Sequence, residues 1–129
     1  MTRKTVTTDQ APAAIGAYSQ AVTTTGTRTT YISGQIPLHP GNMEMVSEDF
    51  AEQAHQVFSN LCAVATAAGG SPDDIVKLTV YLQDLSTFAS LNEIMAGYFN
   101  EPYPARAAVE VAALPRGALI EIDAIMCHE

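Results

Sequence analysis

Arg106 lies in the run Pro104-Ala105-Arg106-Ala107-Ala108-Val109-Glu110-Val111, and it is one of only six basic residues in a chain with fourteen acidic ones. A guanidinium set among apolar residues of a strand-like segment is costly to desolvate unless it meets an anion. Its planar fork and permanent charge suit bidentate binding of a small organic carboxylate better than lysine would. A structural ion pair with Glu110 or Glu121 satisfies the same requirement, and the segment alone leaves both readings open. Elsewhere, Cys62 and Cys127 are far apart with no CxxC spacing, and both are read as free thiols in a reducing compartment. His39, His55 and His128 show no ligand spacing, so neither a metal site nor a cofactor is expected.

The elements that must carry Arg106 follow from periodicity. The first part of the chain, to about Leu38, is rich in Thr, Val and Ile, and the β-branched runs flanking Gly26 predict a hairpin there. Those strands are expected to end at Ser33-Gly34-Gln35 and at the turn His39-Pro40-Gly41-Asn42. From Ser47, the residues Phe50, Ala54, Val57, Phe58, Leu61, Ala65 and Ala68 recur every three or four positions, marking one apolar face of a long helix. Ser47 is the expected N-cap, and Gly69-Gly70 the stop.

Val76, Leu78, Val80 and Leu82 alternate with polar positions, as in a strand with one face on the core. Leu85, Phe88, Leu91, Met95, Tyr98 and Phe99 then follow at helical spacing. Asn92 falls on that stripe, four residues after Phe88, and needs a hydrogen-bond partner wherever the stripe is buried. Two further strands are predicted, about Arg106 to Val111 and Ala118 to Met126. Parity puts Arg106, Ala108 and Glu110 on one face of the first, and separates Ile120, Ile122 and Ala124 from Glu121 and Asp123 on the second. The whole reads as one α+β domain over residues 1–129, a mixed sheet with two helices packed on one side. Apolar residues on its other face would need burial in a symmetric oligomer.

A formal charge of −8 opposes binding to phosphate backbones, so nucleic acid is an unexpected partner. Met1-Thr2-Arg3-Lys4 is basic, but no apolar run of signal-peptide or membrane-spanning character follows, and the expectation is a soluble, cytoplasmic protein.

Several segments together resemble one family: Ala11-Pro12-Ala13-Ala14-Ile15-Gly16-Ala17-Tyr18-Ser19-Gln20, Tyr31-Ile32-Ser33-Gly34-Gln35-Ile36-Pro37, the run around Arg106, and Leu114-Pro115 with Ile120-Glu121-Ile122-Asp123-Ala124. They resemble the RidA (YjgF/YER057c/UK114) proteins, reactive imine/enamine deaminases, over nearly the entire chain. The resemblance implies a chorismate-mutase-like (bacillus type) fold and a homotrimer whose sheets form a central barrel, with sites between subunits. It also implies hydrolysis of 2-imino acids and their enamine tautomers, 2-aminoacrylate and 2-aminocrotonate, to 2-oxo acids and ammonia. Pyridoxal-phosphate dehydratases would be the functional neighbours that release such substrates.

Matched position by position, the family's arginine is Arg106, its glutamate Glu121 and its site tyrosine Tyr18. Ser33 and Gly34 match the pocket-lining loop, and Asn92 a site-associated asparagine. Many relatives have Cys where this chain has Ala108; a main-chain role there would survive the change. Arg106 would then clamp the carboxylate while Glu121 holds and polarises water. Rival readings are a non-catalytic trimer that binds or senses 2-oxo acids through Arg106, a structural trimer, and a ribonuclease or translation inhibitor, which the acidity opposes.

Overall fold

A computed structural model of the chain describes residues 2–129. Among the described residues six strands and two α-helices run in the order β1 (Thr2–Val6), β2 (Ala21–Thr25), β3 (Arg28–Gln35), α1 (Phe50–Ala67), β4 (Ile75–Leu82), α2 (Phe88–Ala96), β5 (Ala105–Glu110) and β6 (Ile120–His128). The main sheet has the order β3-β6-β4-β5, with β4 and β5 parallel and the other pairs antiparallel. It is the mixed sheet of the predicted α+β domain.

The N-terminal part departs from expectation. β2 and β3 are not partners across Gly26: β2 pairs with β1, Thr2↔Thr25 to Val6↔Ala21, in a separate two-stranded sheet, while β3 crosses to β6. A Gly between two β-branched runs signals a bend, but the pairing of the runs is decided by which edges need partners, and here β6 takes β3. Arg3 ties β1 to the body through the main-chain carbonyls of Asp73 and Pro102.

α1 begins as its pattern requires, with one correction. Asp49 is the N-cap, accepting from Glu52 N at 3.0 Å, while Ser47 Oγ accepts from Asp49 N at 2.9 Å in the preceding turn. The longer carboxylate fits the first-turn donor and complements the helix dipole. Past Ala68, Gly69 adopts φ +93°, a left-handed stop that suits glycine. On α2 the helical stripe starts three residues late, because Leu85–Thr87 form a 3-10 turn in which Asp84 caps Ser86 N.

Both helices lie on one face of the sheet. Val57, Phe58, Leu61, Leu91 and Met95 pack there on Leu78, Val80, Leu82, Ile120 and Ile122, all fully buried. Phe58 stacks on Tyr98, ring centroids 5.1 Å apart, which joins α1 to the turn that follows α2. On β4 the buried residue at the start is Ile75, not Val76: the register with β6 shifts between Ile75 and Lys77, so a bulge at Val76 restores the alternation for Leu78 onward. The other face carries Tyr31, 76% exposed, and Val109, 45% exposed, with no helix among the described residues over them. No helix among the described residues is long and apolar enough to cross a membrane. His128 is buried, its Nε2 3.1 Å from Thr30 Oγ1.

Gln53 is the buried polar residue that locks the layers. Its Oε1 accepts from Leu119 N at 2.8 Å and its Nε2 donates to Ser47 O at 2.9 Å, holding the entry to β6 against the start of α1. Gln53→Met keeps the volume but leaves a main-chain donor and acceptor unsatisfied, so a loss of about 1–3 kcal/mol is expected. Urea unfolding of the variant against wild type, at matched protein concentration, measures it.

Candidate active site

β5 is brought to its place by the loop before it. Ser19 N donates to Pro104 O at 3.0 Å, Ser19 Oγ donates to Tyr103 O, and Ser19 bridges Ala105 in parallel fashion. This seats Tyr18 over Arg106, with the guanidinium carbon 4.8 Å from the Tyr18 ring centroid and 5.1 Å from that of Phe88 on α2. Cations at such distances are attracted to ring faces. Arg106 Nη1 donates to Asn92 Oδ1 at 2.7 Å and also faces Met95 Sδ at 3.6 Å.

Among the described residues Arg106 has no carboxylate partner. Glu110 is used elsewhere, its Oε1 accepting from Leu85 N at 2.8 Å. The structural ion pair is therefore not what Arg106 is for. Burial pulls its pKa below the ordinary arginine value, opposed in part by Tyr18. A guanidinium stays charged at neutral pH nonetheless, so a half-buried cation is left short of an anion.

The loop beside it is built to come close. Ala17 N donates to Asn92 Oδ1 at 3.3 Å, Ile15 N donates to the Tyr18 hydroxyl at 3.3 Å, and Tyr18 N turns back to Gly16 O at 2.8 Å. A Cβ at Gly16 would stand 2.8 Å from Asn92 Oδ1 and 3.3 Å from Arg106 Nη2, so a side chain there has no room. Gln20 fixes the start of the loop: its Oε1 accepts from Thr8 N at 2.7 Å and its Nε2 donates to Thr8 O at 3.1 Å, Ala11 O at 3.3 Å and Pro12 O at 2.6 Å. Tyr18, Ser19, Gln20 and Tyr103 wall a neighbouring cleft of about 480 Å³, which Arg106 itself does not line.

A second group forms on the other side of the sheet. Glu121 pairs with Tyr81 across β6 and β4, half-buried on the face away from the helices. At the edge, the β3 register shifts between Ile32 and Gln35, a bulge that holds Ser33 and Gly34 and brings Gly34 against Glu121. A Cβ at Gly34 would overlap Glu121 Oε2 and lie 2.9 Å from its Cδ. Tyr81 donates to Asp123 Oδ2 at 3.0 Å, and its phenol pKa is raised first by that bond, then by burial and by the charges of Asp123 and Glu121.

Residues 8–127 match the family model described as Endoribonuclease L-PSP. A rat 2-iminobutanoate/2-iminopropanoate deaminase is 50% identical over 123 residues, covering 95% of this chain and 88% of that protein. The chain belongs to the RidA/YjgF family. Protein DfrA of Myxococcus xanthus is 51% identical over 125 residues, covering 97% of this chain and 95% of its own. The crystal structure of RidA from an Antarctic Psychrobacter superposes with a TM-score of 0.75 at 54% identity, covering 96% of this chain and 98% of the other. The RidA-type α+β fold is thereby shown, with two helices and mixed sheets.

On this RidA scaffold the residues picked from sequence fall into two clusters. Arg106, Tyr18 and Asn92 meet on the helix-covered face, with Ala108 two residues along the same face of β5 as Arg106, opposite Val80. Gly34 and Glu121 meet on the open face, and Ser33 precedes Gly34 in the same β3 bulge with no contact to Glu121 shown. Leu78 pairs with Arg106 and Tyr81 with Glu121, and adjacent paired positions point to the same face, so one copy of the chain does not bring Arg106 and Glu121 together. Sequence reasoning passed over Phe88 and Met95 as core residues. The signal was present: 88, 92 and 95 share one helical stripe with the polar Asn92 at its middle.

Gly34→Ala forces its methyl against the Glu121 carboxylate. The expected outcome is a rotated Glu121 in a crystal structure of the variant, with a stability loss of about 1–3 kcal/mol from strain at the bulge.

Proposed function

We propose that the protein hydrolyses reactive 2-imino acids and their enamine tautomers, including 2-aminoacrylate and 2-aminocrotonate, to 2-oxo acids and ammonia. The observation that carries this reading is Arg106: a half-buried cation between two rings, with neutral hydrogen-bond partners and no acid. Such a group awaits an anionic ligand, and a carboxylate fits its planar fork. The naming of the rat relative as a 2-iminobutanoate/2-iminopropanoate deaminase supports the chemistry.

In the reaction, Arg106 fixes the substrate carboxylate and thereby the neighbouring imine carbon. Water held by the Glu121 carboxylate adds to the carbon of the protonated imine while Glu121 takes a proton from that water, giving a neutral carbinolamine. Glu121 returns this proton to the amine nitrogen, the C–N bond breaks to release ammonia, and the carbinolamine hydroxyl gives its proton back to Glu121 as the C=O forms. Tyr18 walls the slot, and the Ser33-Gly34 bulge positions Glu121. Neither a metal nor a cofactor is needed for this sequence of steps.

Because Arg106 and Glu121 face opposite ways in one chain, the reading assigns them to a shared site from two subunits. A homotrimer joined through the open face would supply the second copy and cover Tyr31 and Val109. The substrates are of the kind that pyridoxal-phosphate dehydratases release, which makes those enzymes the expected functional neighbours. The Endoribonuclease L-PSP description suggests RNA instead, but a net charge of −8 and the acidic pair Glu121 and Asp123 on the open face disfavour a polyanion.

The test uses a dehydratase to generate the imine and semicarbazide to trap it. Wild type is expected to suppress the semicarbazone, whereas Arg106→Ala and Glu121→Gln each lose about 100-fold or more in activity. Co-expressing these two variants in equal amounts is expected to restore about a quarter of wild-type activity, since in a cyclic trimer one site in four draws both intact residues from different copies. No restoration in mixed trimers would place both residues in one subunit and reject the shared site. No suppression by wild type would reject the enzyme in favour of a 2-oxo acid sensor or a structural trimer.

A further inference from the structure

The hydrogen bonds around Arg106 select one edge of its guanidinium. Nη1, the nitrogen on the Cδ side, carries two hydrogens, and it has two acceptors: Asn92 Oδ1 at 2.7 Å and Met95 Sδ at 3.6 Å. The opposite edge, formed by Nε and Nη2, is the one that offers two parallel N–H groups to a carboxylate. The absence of a side chain at Gly16 keeps Nη2 clear, since a Cβ would sit 3.3 Å from it. Asn92 Oδ1 is itself held, because it also accepts from Ala17 N at 3.3 Å. One carbonyl oxygen on α2 therefore sets both the roll of the guanidinium and the approach of the loop beside it.

Every group that orients Arg106 is neutral: an amide, a thioether and two rings. A carboxylate at position 92 would hold the same geometry through a stronger, charge-assisted bond. It would also neutralise the cation before any ligand arrived, and in a half-buried site the two charges would compete with the ligand's own. We infer that Asn92 is a positioning residue whose lack of charge is its function: it orients the Nε/Nη2 edge of Arg106 toward the ligand and leaves the positive charge unspent. The inference rests on the carboxylate-binding role proposed for Arg106.

Asn92→Asp separates this from a merely structural role, since it is nearly isosteric and retains the Oδ1 acceptor for both Ala17 and Arg106. Calorimetric binding of 2-oxobutanoate to the intact oligomer is the readout, alongside KM and kcat in the coupled assay. Asn92→Asp is expected to melt at or above the wild-type temperature yet to weaken 2-oxobutanoate binding about tenfold or more, with KM raised and kcat little changed. Asn92→Ala, which frees the guanidinium but adds no charge, is expected to bind more tightly than Asn92→Asp despite lower stability. Wild-type affinity in Asn92→Asp would overturn the inference, leaving Asn92 as a packing residue. If wild type itself bound 2-oxobutanoate no better than Arg106→Ala does, the carboxylate role would fail and take this inference with it, a result distinguishable from failure at Asn92 alone.

Discussion

The alternation of β6 is the constraint on which the molecule turns. As a central strand it pairs with β3 on one side and β4 on the other, so its side chains can leave only upward or downward. Ile120, Ile122, Ala124 and Met126 fill the helix-covered face completely, which obliges Glu121 and Asp123 to emerge on the other. A slip of one residue would bury two carboxylates and expose four core positions, so the register is fixed by hydrophobic burial far more firmly than by anything the acids do. The carboxylate of the proposed site is thus aimed by the core, and its precision comes from residues that take no part in chemistry.

The arginine side of the site follows the opposite logic. β5 is an edge strand joined to the sheet through β4 alone, and Arg106 is held less by the sheet than by what comes over it: Phe88, Asn92 and Met95 from α2, and Tyr18 from the loop that Ser19 pins to β5. A cation in such surroundings lacks part of its hydration, and rings and a neutral amide return only some of that loss. The remaining deficit is a reservoir of affinity for an anion of the right shape. The stability forgone in leaving Arg106 without an acid is what makes a binding site of it.

Much of this was legible beforehand, and the failures have particular causes. α1, and β4 from Leu78 onward, were readable because burial on one face imposes a period, and there the period is clean. Parity alone separated Glu121 from Ile120 and Ile122. The Gly26 hairpin failed because β propensity says that a segment is extended without saying which neighbour it pairs with, and β1 carries no apolar alternation strong enough to announce itself. The bulge at Val76 was invisible for a similar reason: either Ile75 or Val76 satisfies the pattern until the register with β6 is known. Arg106 was conspicuous as a cation in an apolar run, but its orientation depends on Asn92, fourteen residues away on another element, and on a glycine contact no spacing rule contains.

Gln20 holds its loop without touching a side chain of it. Its amide closes the stretch from Thr8 to Pro12 entirely through main-chain groups, one amide hydrogen and three carbonyls. The shape of that segment is consequently indifferent to the identity of the side chains between those points, provided the backbone can still present the same oxygens. Substitutions can accumulate along this segment and alter its texture and polarity, while Tyr18, two residues before the amide, keeps its station over the arginine. The fold has placed its freedom to vary immediately beside the part that must hold still.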